Sequence, residues 1–87
     1  MLKHSVIWAT IDKLATGQKL SRSGLARFSG LDPTTFNLSK RFESSGKPHW
    51  PAMYTLSKVL DATGTTMTEF GRIYDEIAQQ EKLIDQK

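Results

Sequence analysis

Apolar residues fall three and four positions apart along most of this chain, a spacing that predicts helices and no sheet. Ile7, Ile11 and Leu14 share one face of a helix over 3–16, with Val6 and Trp8 beside that face and Gly17 as its stop. Leu25 and Ala26 mark the inward side of a second, shorter helix. Met53, Leu56, Val59 and Leu60 line a fourth, which opens at Pro51 and ends at Gly64. Met67, Phe70, Tyr74, Ile77 and Ile84 step along a fifth, whose start is a capping box of Thr66 and Glu69. Past Ile77 the residues A-Q-Q-E-K-L-I-D-Q-K hold too few apolar side chains to be core. The expectation is an all-α, five-helix domain over 1–78, followed by a helical extension or linker stub over 79–87.

Between the first and fourth helices lies the most informative stretch, S-R-S-G-L-A-R-F-S-G-L-D-P-T-T-F-N-L-S-K-R, residues 21–41. Ser21 is a natural N-cap, because its hydroxyl accepts an amide that the opening turn leaves free. Gly30 follows Ala26 by four residues, where a left-handed turn favours a residue without Cβ. Asp32-Pro33 then reads as cap and first position of a third helix. Phe36 is expected to pack back between the two short helices, and Ala26 to stay small where they cross. A helix, a tight turn and a second helix with this Ala, Gly and apolar spacing form a helix-turn-helix, whose second helix enters a DNA major groove.

These residues resemble a known family. L-A-R-F-S-G-L-D-P-T-T-F is similar to the helix-turn-helix of lambda-repressor-like regulators (Cro, CI and xenobiotic-response-element proteins). H-W-P-A-M-Y-T-L-S-K-V-L-D-A-T-G-T-T-M-T-E-F resembles that family's fourth helix and the entry to its fifth. D-P-T-T-F-N-L-S-K-R-F followed by W-P looks closer still to the N-terminal DNA-binding domain of phage-type repressors that carry a LexA-like peptidase domain behind them. Gly24 departs from the pattern where a better helix former is usual, and Ser39 where an apolar residue is usual. The resemblance implies a homodimer on a palindromic operator.

Charge adds direction. Residues 1–50 hold eight Lys or Arg against three Asp or Glu, whereas 51–87 hold four against six, so the basic half is the one with the motif. Projecting the third helix at about 100° per residue with Phe36 inward puts Thr34, Leu38 and Arg41 on the far side, and Thr35 and Asn37 on the flanks. Thr34, Thr35, Asn37 and Leu38 are therefore the candidate base contacts: Asn37 for adenine edges, Leu38 for a thymine methyl, the Thr hydroxyls for either base. Arg22, Arg41 and Lys47, the last in a loop over Phe42–Trp50, are the candidate phosphate contacts. Tyr74, Ile77 and Ile84 form the candidate dimer seam. His4, Asp12 and Lys13 read as solvated surface residues, and His49 has no partner at metal-ligand spacing.

Eighty-seven residues suffice for one small core. No cysteine is present, so neither a disulfide framework nor a thiolate metal site is expected. No apolar run approaches a membrane span and the N-terminus has no secretory core, so a cytoplasmic location is the default expectation. Ser44, Ser45 and Lys47 sit in a surface loop that would not desolvate a catalytic Lys, and no enzyme is expected. The leading expectation is a sequence-specific double-stranded DNA-binding regulator with no cofactor or metal. The alternative is a protein-interaction module, or an antitoxin of the same fold.

Overall fold

The computed structural model describes the backbone of residues 1–85 and the side chains of residues 1–83. Among these are four α-helices: α1 (His4–Gly17), α2 (Arg22–Phe28), α3 (Met53–Thr63) and α4 (Met67–Asp85). No strand is present among the described residues, only an isolated bridge between Phe42 and Pro48. The all-α class holds, with four helices where five were expected. Residues 32–41, read from sequence as the third helix, form a turn over 33–36 and a 3-10 turn over Leu38–Arg41.

The reason lies in two inward-facing residues. Phe36 is fully buried and Arg41 is buried too. They are five positions apart, and in a regular α-helix that separation rotates one side chain about 140° from the other. Both reach the same helix, α1, only because the chain breaks between them, at Asn37 (φ −60°, ψ 146°). The local sequence T-T-F-N-L-S supplies little resistance, since Thr, Asn and Ser are all poor helix formers.

α1 is the centre of the fold. It packs mainly on α4 and also touches α2, which in turn touches α3. The predicted face of Ile7, Ile11 and Leu14 is buried, and so are Val6, Trp8, Thr10 and Ala15. Burial on so many sides leaves Thr10 without water, and its hydroxyl donates to the Val6 carbonyl at 2.7 Å. Leu25, Ala26, Phe36, Leu56, Val59, Leu60 and Phe70 complete the core, with Leu20, Leu31, Ile73 and Tyr74 packed against it.

The helix ends follow local chemistry. Ser21 accepts from the Gly24 amide at 3.0 Å. A Cβ on Gly24 would stand 3.2 Å from the Ser21 hydroxyl and 3.5 Å from Leu20, a close fit beside the cap. Gly30 (φ +74°) closes α2, with the Leu31 amide bonded back to the Ala26 carbonyl at 2.8 Å. α1 ends at Gly17, the expected stop, and the left-handed residue that closes it is Lys19 (φ +59°), with the Leu20 amide bonded back to the Ala15 carbonyl at 2.9 Å. α3 starts at Met53, two residues after Pro51. The Thr66–Glu69 capping box forms, with the Glu69 amide donating to the Thr66 hydroxyl at 3.1 Å. α4 continues without a break past residue 78, so the backbone marks no boundary there.

Candidate functional site

Residues 32–41 hang between their two anchors. At the first, Asp32 organises the turn: its carboxylate accepts from the Thr34 amide at 2.8 Å and the Thr34 hydroxyl at 2.6 Å. The Thr35 hydroxyl donates to the Asp32 carbonyl at 2.6 Å. The Thr34 side-chain and backbone hydrogen bonds hold the Asp32 carboxyl below its ordinary pKa. Phe36 then enters the core, its ring 6.5 Å from that of Trp8 in an edge-on arrangement.

The second anchor is Arg41. Its guanidinium makes two hydrogen bonds to the Asp12 carboxylate, at 2.9 and 2.7 Å, and a third to the Phe36 carbonyl at 3.1 Å. It also lies 4.9 Å from the centre of the Trp8 ring. Arg41, expected to hold phosphate, instead ties this segment to α1. Asp12, read from sequence as an ordinary surface charge, is the hub of the arrangement. Arg22 reaches the same carboxylate at 3.2 Å from α2. Burial by itself raises the Asp12 pKa, but the hydrogen bonds and charges of Arg41 and Arg22 outweigh it and hold the carboxyl below the usual range.

What remains outward between the anchors is compact. Thr34, Asn37, Leu38, Ser39 and Lys40 are exposed, Leu38 at 61%, while Thr35 is half-buried. The Asn37 backbone N–H donates to the Thr34 carbonyl at 3.1 Å, while its exposed side-chain amide makes no hydrogen bond among the described residues. Thr34 and Thr35 commit their hydroxyl hydrogens to Asp32 and present oxygen lone pairs and methyl groups. The four candidate base contacts therefore share one short stretch, with Ser39 and Lys40 beside them. The break at Asn37 also explains Ser39: its position, apolar in the resembled pattern, faces solvent here. Arg27 is exposed at the end of α2, and Arg22 keeps about half its side chain in water despite its ion pair.

Residues 42–48 form a small hairpin loop. The Glu43 amide donates to the Lys47 carbonyl and the Gly46 amide to the Glu43 carbonyl, both at 2.8 Å. Gly46 takes φ +90° at the turn. Lys47 stands exposed on this loop. The base of the loop is pinned to α1 by His4, read from sequence as a surface residue, and by Trp8, read as flanking the buried face. His4 Nε2 lies 2.8 Å from the Arg41 carbonyl and 2.9 Å from the His49 carbonyl. Trp8 Nε1 lies 3.0 Å from the same nitrogen, so with the proton on Nε2 His4 donates to the two carbonyls, and with the proton on Nδ1 it accepts from Trp8. Trp8 Nε1 donates to the His49 carbonyl at 2.9 Å, and the His49 amide to the Arg41 carbonyl at 2.9 Å. The sequence signal for this cluster was slight: His4 and Trp8 lie one helical turn apart, with an aromatic-rich F-…-H-W segment downstream.

Of the candidate dimer residues, two have described side chains. Tyr74 packs against the core and its hydroxyl accepts from the Lys3 amide at 2.8 Å. Ile77 is half-buried. The side chain of Ile84 lies outside the described residues. Among the described residues no three His, Asp or Glu side chains come together as a metal site requires, and no helix is long and apolar enough to cross a membrane. No protein-family model, curated protein or solved structure matches this chain.

Proposed function

We propose that this chain is the sequence-specific DNA-binding domain of a transcriptional repressor of the lambda-repressor-like kind, acting as a homodimer on a palindromic operator. One observation carries the reading: Asn37, Leu38 and Lys40 stand exposed on a short segment fixed in the core at Phe36 and Arg41, with Thr34 exposed just before the first of these. Fixed ends suit base recognition, because side chains held in place lose less freedom on binding than those of a mobile loop.

The chemistry of that segment matches base edges in a major groove. Asn37 can engage adenine through N6 and N7, and Leu38 the methyl of a neighbouring thymine. Thr34 and Thr35, with their hydrogens committed, are left to accept from the amino groups of adenine or cytosine, or to pack their methyls on thymine. Lys47 on its pinned loop, Lys40, and the free edge of Arg22 supply phosphate contacts. This assignment removes Arg41 from the phosphate set and adds Lys40. No metal or cofactor enters the reading, and no catalytic step.

The test is a titration of random-sequence duplex DNA at several salt concentrations, followed by fluorescence anisotropy. Binding should weaken steeply with salt, because phosphate contacts release counterions. Lys47→Ala should weaken binding to all sequences alike and reduce the salt slope by about one. Absence of binding at low salt, or binding indifferent to salt, would remove the reading.

A further inference from the structure

An apolar groove of about 350 Å³ opens between the N-terminal residues, the start of α3 and the first turns of α4. Trp50, Phe70 and Tyr74 bring three aromatic rings to its lining. Met53 and Met67 stand at its rim, 68% and 57% exposed. Asp75 is the one charged residue on its wall. It is exposed and forms no ion pair among the described residues, since its neighbour Arg72 is committed to Glu76 at 2.7 Å.

We propose that this groove binds a small organic cation with an apolar body, of the quaternary ammonium class. Charge selects the cation. A wall that is apolar but for one carboxylate fits a ligand that is apolar but for one positive charge. Aromatic rings strengthen that choice, because a ring face is the negative part of its quadrupole and attracts a cation. A neutral ligand gains nothing from Asp75, and an anion is repelled by it. Hydrogen bonding selects the quaternary form. A primary ammonium brings three donors to satisfy, and the Tyr74 hydroxyl already accepts from the Lys3 amide at 2.8 Å. A quaternary ammonium brings none. Size selects a small molecule. The volume lies at the low end of the roughly 300–1,000 Å³ of small-molecule sites. Eleven residues line the groove, whereas a specific protein interface takes about 20–30 on each side. Met53 and Met67 are long and unbranched, so they can close over a ligand of irregular outline. None of the lining residues belongs to 32–41, so the site is separate from the segment assigned to DNA.

The test is a titration of the chain, without DNA, with meta-hydroxyphenyltrimethylammonium and with its neutral carbon isostere meta-tert-butylphenol. NMR follows the methyl groups of Met53 and Met67. Wild type should give saturable shifts at both, with the cation held at least about fivefold tighter than the isostere. Asp75→Asn keeps the shape of the wall and removes its charge. It should bring the cation down to the affinity of the isostere and leave the isostere where it was. Gly71→Leu grows a side chain from the wall at a point where a Cβ would meet nothing within 4 Å. Leu suits a helix better than Gly, so the melting temperature should hold or rise while both probes bind more weakly. Absence of a saturable shift, equal affinity for the two probes, or a cation affinity that either substitution leaves unchanged overturns the proposal. Methyl shifts that follow protein concentration instead of probe would overturn it too, by assigning the groove to a second copy of the chain.

Discussion

α2 and the segment that follows it open with the same kind of signal, a side-chain cap before a short run, yet only α2 becomes an α-helix. Ser21 caps α2, and Leu25 and Ala26, adjacent in sequence, bury one continuous side of it. Asp32 caps just as well, with two hydrogen bonds from Thr34. Its buried residues, however, are Phe36 and Arg41, whose spacing no single helical face accommodates. One region is shaped by local rules, the other by where its two ends must go. The difference suits the function proposed for it: a segment held by tertiary anchors can turn its intervening residues outward without spending them on its own stability.

The sharpest way to break this contrast is to remove the hub. Asp12→Ala leaves the buried Arg41 guanidinium without its carboxylate, and such a loss costs about 3–5 kcal/mol. Chemical denaturation measures the total. Hydrogen exchange should show residues 36–41 losing protection before α2 does, and equal loss in both would deny that Arg41 anchors one region in particular. The effect carries a pH signature. A carboxyl whose pKa is depressed in the folded state contributes stability that is full above its unfolded value of about 3.9 and lost as pH falls through the folded value. The gap between wild type and Asp12→Ala should therefore be constant near neutrality, begin to close near about pH 4, and vanish at more acid pH. A gap unchanged in acid would mean the Asp12 charge contributes nothing.

A second substitution separates display from support. Asn37→Ala touches neither anchor, so the melting temperature should hold. Under the proposed function it should cost roughly 1–3 kcal/mol on the cognate operator and blur one position of the consensus. Equal weakening on random DNA would show that Asn37 reads no base. The mildest change acts on the other region. Ser21→Ala removes the cap of α2 and should lower stability by about 1 kcal/mol, and protection should fall in α2 first.

These effects divide along the same line as what the chain makes legible. The helix class, the buried face of α1, the Ser21 cap, the Gly30 turn and the Thr66–Glu69 box were all readable, because each depends on residues within one or two turns of each other. The exposure of Thr34, Asn37 and Leu38 was expected from a helical projection, yet it comes about without the helix, and Thr35 is half-buried. Arg41 was not readable as an anchor: its partner Asp12 lies 29 positions away, and nothing local marks a buried ion pair. His4, read as a surface residue, was misplaced on similar grounds, since the carbonyls it approaches belong to residues 41 and 49. Tyr74, read by period as part of a pairing seam, also packs against the core and accepts from the Lys3 amide, a contact 71 positions away that period does not mark.

The claim that this outward segment reads sequence is tested most directly by selecting bound sites from random duplex DNA, with Asn37→Ala run beside wild type. The wild type should enrich an inverted repeat whose half-site centres lie about 34–36 Å apart, one turn of the duplex. Asn37→Ala should keep the spacing and lose preference at one position in each half. Recovery of sequences no different from the starting pool, or a consensus that Asn37→Ala leaves untouched, would contradict the account.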